Sequence, residues 1–257
     1  MFHFLSTANP KTLKGEKKGY LTFILHLAPA DLSGHEVCPK RTAGCTATCL
    51  NTAGRGGMFR LGETTNVIQE ARKRRTRVFF RNREVFMHLL TGDIKKAIKY
   101  AAARGFTAAF RLNGTSDLSW EKYACDGARN VFERFPDVQF YDYTKVPRRK
   151  TAHIPNYHLT FSLGEDNEKD VAWAIENGMN VAVVFDRLPD TYLGRRVVNG
   201  DETDLRFLDP KNVIVGLKAK GRAKKDTTGF VKQLDKVIPI SYNTHIETEE
   251  GKEYDFG

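Results

Sequence analysis

Apolar positions run continuously or alternate with polar ones in six short stretches bounded by turn residues: 20–28, 107–112, 138–143, 157–162, 180–185 and 212–217. Stretches of this length, rich in β-branched and aromatic residues, predict strands. Between them the period shifts to that of amphipathic helices. Two helices are predicted over Thr64–Arg83 and Arg83–Arg104, the second stopped by Gly105. A third is predicted from a cap at Asp117 or Ser119 through Phe135, ended by Pro136, and a fourth over Asn167–Asn177, closed by Gly178. A shorter one is expected over Gly229–Val237.

Strands alternating with helices predict a mostly parallel sheet with right-handed crossovers. No strong dinucleotide-binding fingerprint is present, so the expected fold is an open or partial (β/α)6 barrel, with a doubly wound sheet as the competing arrangement. No repeat or low-complexity linker divides the chain. Residues 1–257 therefore read as one α/β domain, with an irregular excursion at 187–210 and an acidic tail at 245–257.

Parallel α/β folds build their sites from the loops at the C-terminal ends of the strands. Here those ends are polar. The first strand leads into a cysteine loop, Cys38–Cys49, and the second ends in Arg111-Leu112-Asn113-Gly114-Thr115-Ser116-Asp117. The third delivers Tyr141, Asp142, Tyr143 and Lys145, and the sixth Lys218 and Lys220. Successive strand residues point to opposite faces, so Tyr141 and Tyr143 share one side and Asp142 takes the other. Tyr141, Asp142 and Lys145 are the candidate catalytic residues.

Hydrophobic residues make up 40% of the chain and charged ones 28%, a balance that predicts a soluble globular protein. No apolar run approaches the ~20 residues that span a bilayer, and a cytoplasmic location without membrane contact is expected. The formal net charge of +10 is unevenly placed. Arg72, Arg74, Arg75 and Arg77 crowd one predicted helix, and Lys218–Lys225 forms a second basic stretch. Clustered guanidinium groups favour a polyanionic partner, nucleic acid or a nucleotide first. A solvated helix face is the competing account of the first cluster.

Three of the four cysteines, Cys38, Cys45 and Cys49, fall within the loop after the first strand. Bunched so closely, they do not form a disulfide framework for a chain of this length. Converging thiolates suit iron–sulfur clusters or zinc. One reading is a 4Fe–4S cluster on Cys38, Cys45 and Cys49 with an open iron; another closes it with Cys125. A third is zinc, for which His35 completes a Cys3His set, although the six-residue gap fits zinc spacing poorly. Ordinary buried thiols are the fourth.

The order of these features resembles the radical S-adenosylmethionine enzymes, partial (β/α)6 barrels with three cluster cysteines after the first strand. That resemblance implies S-adenosylmethionine as a cofactor, held in part by Asn113, Gly114, Thr115 and Asp117. The cysteine spacing differs: six residues then three, against the usual three then two. The combination of Leu27-Ala28-Pro29, Cys38-Pro39, Gly44-Cys45, Cys49-Leu50, Ala53-Gly54-Arg55-Gly56, Arg111–Asp117 and Phe140–Lys145 is similar to the gene-product-88-like family of bacteriophage and plasmid-borne proteins. This implies a mobile-element origin and leaves the activity open. The expectation is an iron–sulfur, radical S-adenosylmethionine-like enzyme acting on nucleic acid or a nucleotide. The alternative is a non-enzymatic nucleic-acid-binding protein with a structural zinc or closed cluster.

Overall fold

All six apolar stretches become strands, and the six lie parallel in the order in which the chain visits them. The structure is a computed structural model describing residues 2–7, 10–52, 54–58 and 66–234. Its elements begin β1 (Leu5–Ser6), α1 (Pro10–Glu16), β2 (Tyr20–Leu25), α2 (Ala43–Ala47), α3 (Val67–Arg81), α4 (Arg83–Ala102) and β3 (Thr107–Arg111). They continue α5 (Val131–Arg134), β4 (Gln139–Thr144), β5 (Tyr157–Ser162), α6 (Glu168–Glu176) and β6 (Val181–Phe185). The last are β7 (Thr191–Tyr192), β8 (Arg195–Asn199) and β9 (Ile214–Lys218).

One sheet runs β1-β2-β3-β4-β5-β6-β9-β8-β7. It is parallel except at its edges, where β1 opposes β2 and β7 opposes β8. The edge strands do not pair with each other, so the sheet is not closed. Its order never reverses from β2 to β9, whereas a doubly wound sheet reverses once. Right-handed crossovers taken always in one direction put the connecting helices on one face.

Strand alternation separates the two faces chemically. Phe23, Leu25, Phe110 and Phe140 pack with Phe86, Leu90 and Ile94 of α4, all fully buried. Phe161, Val181 and Val183 pack with Val171 and Ala174 of α6. Burying each large side chain of this kind contributes about 1.5–3 kcal/mol. The opposite face carries Thr22, Arg111, Tyr141, Tyr143 and Thr160 and is covered differently. The excursion at 187–210 forms the β7–β8 hairpin, adds β8 beside β9, and then sends Asp204, Leu205 and Arg206 inward, each at most 2% exposed. Phe207 meets Tyr20 and Tyr141 at ring separations of 5.1 and 5.3 Å. This plug fills part of the open face and leaves the C-terminal strand ends uncovered.

Two predicted helices do not form as expected. Over 119–135, Asp126 and Gly127 both adopt positive φ (44° and 84°), and Cys125 and Ala128 exchange backbone hydrogen bonds across them. An Asp-Gly turn of this kind interrupts any helix, and only α5, capped by Asn130, survives. Over Gly229–Val237 the described residues bend around Asp226, and Lys232 bridges to Phe185; residues 235–237 lie outside the described structure. Asn66 caps α3 and Asn82 separates it from α4. Thr64 and the acidic tail lie outside the described residues. No helix among those described is long and apolar enough to cross a membrane.

Candidate functional site

Where the strands end, a cavity of about 320 Å³ opens on the face that the helices do not cover. Cys38, Cys45 and Cys49 line it, together with Arg111, Asn113–Asp117, Tyr143, Lys145, Lys218 and Phe230. Its floor is apolar where Ala182, Val184 and Leu217 contribute. Residues spread over most of the chain therefore meet at one place.

The cysteine loop is shaped by its own polar side chains. Thr42 caps α2 by accepting from the Cys45 amide (3.1 Å), which fixes the turn carrying Cys45. The Thr42 hydroxyl and the Gly44 amide both donate to Glu165, just past β5, at 2.5 Å each. Glu36 accepts from the Cys38 amide and from Arg41. The Ala30 amide donates to Cys38 Sγ and the Asn51 amide to Cys49 Sγ, each at 3.5 Å. Burial pushes the Cys38 thiol up to about 12 and raises Cys49, while Arg72 and Lys145 act on Cys49 in the opposite sense. Cys45 and Cys49 lie close enough to oppose ionisation of Cys38, and Cys45 that of Cys49. Among the described residues, however, no three His, Cys, Asp or Glu side chains form a group able to hold a metal ion. Shared lining of one cavity does not by itself make a closed ligand cage.

The proposed closing ligands lie elsewhere. Cys125 is buried in the core within 3.2 Å of the Thr91 hydroxyl. The His35 ring stacks on Phe80 at 4.4 Å.

The segment after β3 reaches the cavity with most of its side-chain groups already engaged. Asn113 Oδ1 accepts from Ser116, Leu118 and Trp120, and its Nδ2 donates to the Leu118 carbonyl. Thr115 donates to the Leu27 carbonyl at 2.6 Å. Gly114 is needed for close approach, because a Cβ there would lie 2.5 Å from Ile24 and 2.7 Å from the Leu25 carbonyl. Asp117 accepts from the Lys145 amide (2.7 Å) through Oδ2, and burial raises its pKa.

The three catalytic candidates separate. Lys145 lines the cavity with its ammonium 5.4 Å from the Phe230 ring centroid. Tyr141 is fully buried, and its hydroxyl lies 3.2 Å from that of Thr22 and 3.3 Å from Asp204. Asp142 stands on the helix-covered face, accepting from the Asn113 amide (2.8 Å) and the Tyr157 hydroxyl (3.2 Å). Tyr143 lines the cavity, and burial pushes its phenol up to about 12. Arg111 reaches from β3 to Asp204 at 2.8 Å beneath it. The Arg111–Asp204 pair was not anticipated; an arginine ending an otherwise apolar strand was its only sequence signal.

The basic helix turns mostly inward. Arg72 donates to Asn51 Oδ1 at 2.6 Å, Arg75 to the His26 carbonyl and Arg77 to the Ser33 carbonyl. Thr76 adds a hydrogen bond from the Ala28 amide. This side of α3 thus latches both flanks of the cysteine loop; of the four candidate arginines Arg74 alone is exposed, and the other three are half-buried.

A mostly parallel, open α/β sheet with a thiol-lined cavity at its strand ends defines the class of protein. The chain belongs to the gene product 88 family, whose model matches residues 3–234. No curated protein and no solved structure matches it, so the likeness to radical S-adenosylmethionine enzymes gains no support from a relative.

Proposed function

We propose that this protein is an iron–sulfur enzyme of the radical S-adenosylmethionine type, acting on nucleic acid or a nucleotide, with a 4Fe–4S cluster on Cys38, Cys45 and Cys49. The observation that carries this reading is the meeting of three thiols from one loop with Lys145 and Tyr143 in a single strand-end cavity. The sequential strand order supports a partial barrel, whose catalytic groups gather at that end.

Three cysteines around one cavity are the donor type a thiophilic centre takes, and the loop would have to draw Cys38, Cys45 and Cys49 together to hold it. Backbone amides already donate to Cys38 and Cys49, and such hydrogen bonds to sulfur orient and tune metal thiolates. When bound, a cluster with three cysteine ligands offers one open iron and an electron for S-adenosylmethionine. The chain's own groups do the rest. Arg72 and Lys145 offset negative charge beside Cys49. Loop 113–117, the apolar residues Ala182, Val184 and Leu217, and the Phe230 ring shape the space.

Anaerobically purified protein given dithionite and S-adenosylmethionine tests the reading. Release of 5′-deoxyadenosine by the native chain, lost in Cys45→Ala, is expected. A colourless protein that releases none overturns it. The second reading, a non-enzymatic nucleic-acid-binding protein, draws on the basic charge; bound zinc without sulfide would favour it.

A further inference from the structure

We infer that a single strand of nucleic acid binds across the basic rim of the cavity, around the turn after β9, and delivers one nucleotide inward. The inference deepens the proposed reading by naming the partner and its footprint, and it rests on that reading only for the chemistry that follows binding.

The charge balance at the mouth points to a polyanion. The lining carboxylates are engaged within the chain: Asp201 with Lys220 (2.7 Å), Asp204 with Arg111, and Asp117 with the Lys145 amide. Lys40 and Lys218 line the cavity, and Arg222, Lys224 and Lys225 flank its wall residue Ala223; none of these five forms an ion pair with a carboxylate among the described residues. The turn Gly221–Lys225 follows β9 directly and buries Ala223 in the cavity wall, leaving Arg222, Lys224 and Lys225 in solvent. Lys40, on the cysteine loop, also lines the cavity. By contrast, Arg72, Arg75 and Arg77 of α3 are occupied in holding loops.

The shape argues for a single strand. Exposed cations around the opening can follow phosphates, while the aromatic rings of Tyr143 and Phe230 in the cavity lining offer stacking surfaces for a base turned out of a single strand. Bases within a duplex are stacked and paired away from such a cavity, and enzymes that act on them take them out of the stack. Phosphate contacts carry the affinity and make it salt-dependent.

The test is fluorescence anisotropy with labelled 12-nucleotide DNA and RNA and with the corresponding DNA duplex, across a salt series, on the full chain as purified and after metal chelation. The native chain is expected to bind one of the single strands more tightly than the duplex. Substituting Arg222, Lys224 and Lys225 together by Gln should weaken that binding about tenfold and flatten the log–log salt slope by about 2. A charge-matched control, Lys95, Lys96 and Lys99 of α4 replaced by Gln, should stay within about twofold of the native chain. No binding, a preference for the duplex, or equal losses in both triple variants overturns the inference. Rim-dependent binding retained after chelation supports the footprint even if the cluster reading fails.

Discussion

Glu165 and Gly44 lie 121 residues apart in sequence, yet the Gly44 amide donates to the Glu165 carboxylate at 2.5 Å. The same carboxylate takes the Thr42 hydroxyl, so one side chain at the end of β5 fastens the helix carrying Cys45 to the sheet. Hydrogen bonds to a charged group are worth about 1.5–3 kcal/mol each. Glu165→Ala should therefore speed hydrogen exchange at residues 42–49 and leave β3 and β4 protected. Unchanged exchange in the loop would show that other contacts hold it.

Arg72 fastens the other end through Asn51. Arg72→Gln is expected to destabilise the protein by about 1–2 kcal/mol and to lower its retained metal, because hydrogen bonds to charged groups exceed neutral ones. Urea unfolding and metal analysis measure both. Native stability and native metal content would contradict a latch.

Gly114 packs against β2 with no room for a methyl group. Gly114→Ala should cost about 1–3 kcal/mol by overpacking, seen as a lower Tm. A Tm within a degree of the native value would mean that the strand-end loop relaxes freely.

Asp142 gives a pH signature. Burial moves its folded-state pKa from 3.8 up to about 7, outweighing Arg111 and the hydrogen bonds from Asn113 and Tyr157. The folded state holds this proton longer than the unfolded one, so the contribution is complete below about 4 and is lost as pH rises to about 7. Asp142→Asn keeps an acceptor for the Asn113 amide and should gain stability relative to the native chain between those values. His26 and His158, pushed by burial down to about 3 and about 4, act in the opposite direction, so the comparison is made at each pH. A variant-to-native difference independent of pH would contradict the assignment.

The six central strands and their parallel direction were legible because each is a compact apolar run and the helices between them enforce parallel pairing, whereas the short edge strand β1 and the insertion of β8 beside β9 were not. The meeting of the cysteines, Lys145 and the segment after β3 followed from strand ends alone. Other features depended on long-range packing. Arg72, Arg75 and Arg77 read as a phosphate-binding stripe because their acceptors, Asn51 and the carbonyls of His26 and Ser33, are set by tertiary contact. Tyr141 and Lys145 looked equivalent along β4, yet Tyr141 lies under the plug formed by Asp204 and Phe207. The Asp126-Gly127 dipeptide is a local turn signal that prevails over the amphipathic pattern around it, which is why the helix predicted through Phe135 breaks.

The measurement closest to the central claim is iron, sulfide and zinc content per chain after anaerobic purification, for the native protein and four single variants. The native chain and Cys125→Ala should carry about four iron and about four sulfide, as a cubane cluster requires. Cys38→Ala, Cys45→Ala and Cys49→Ala should each lose them. Zinc without sulfide, equal metal in all five proteins, or no metal in the native chain would contradict a cluster on Cys38, Cys45 and Cys49.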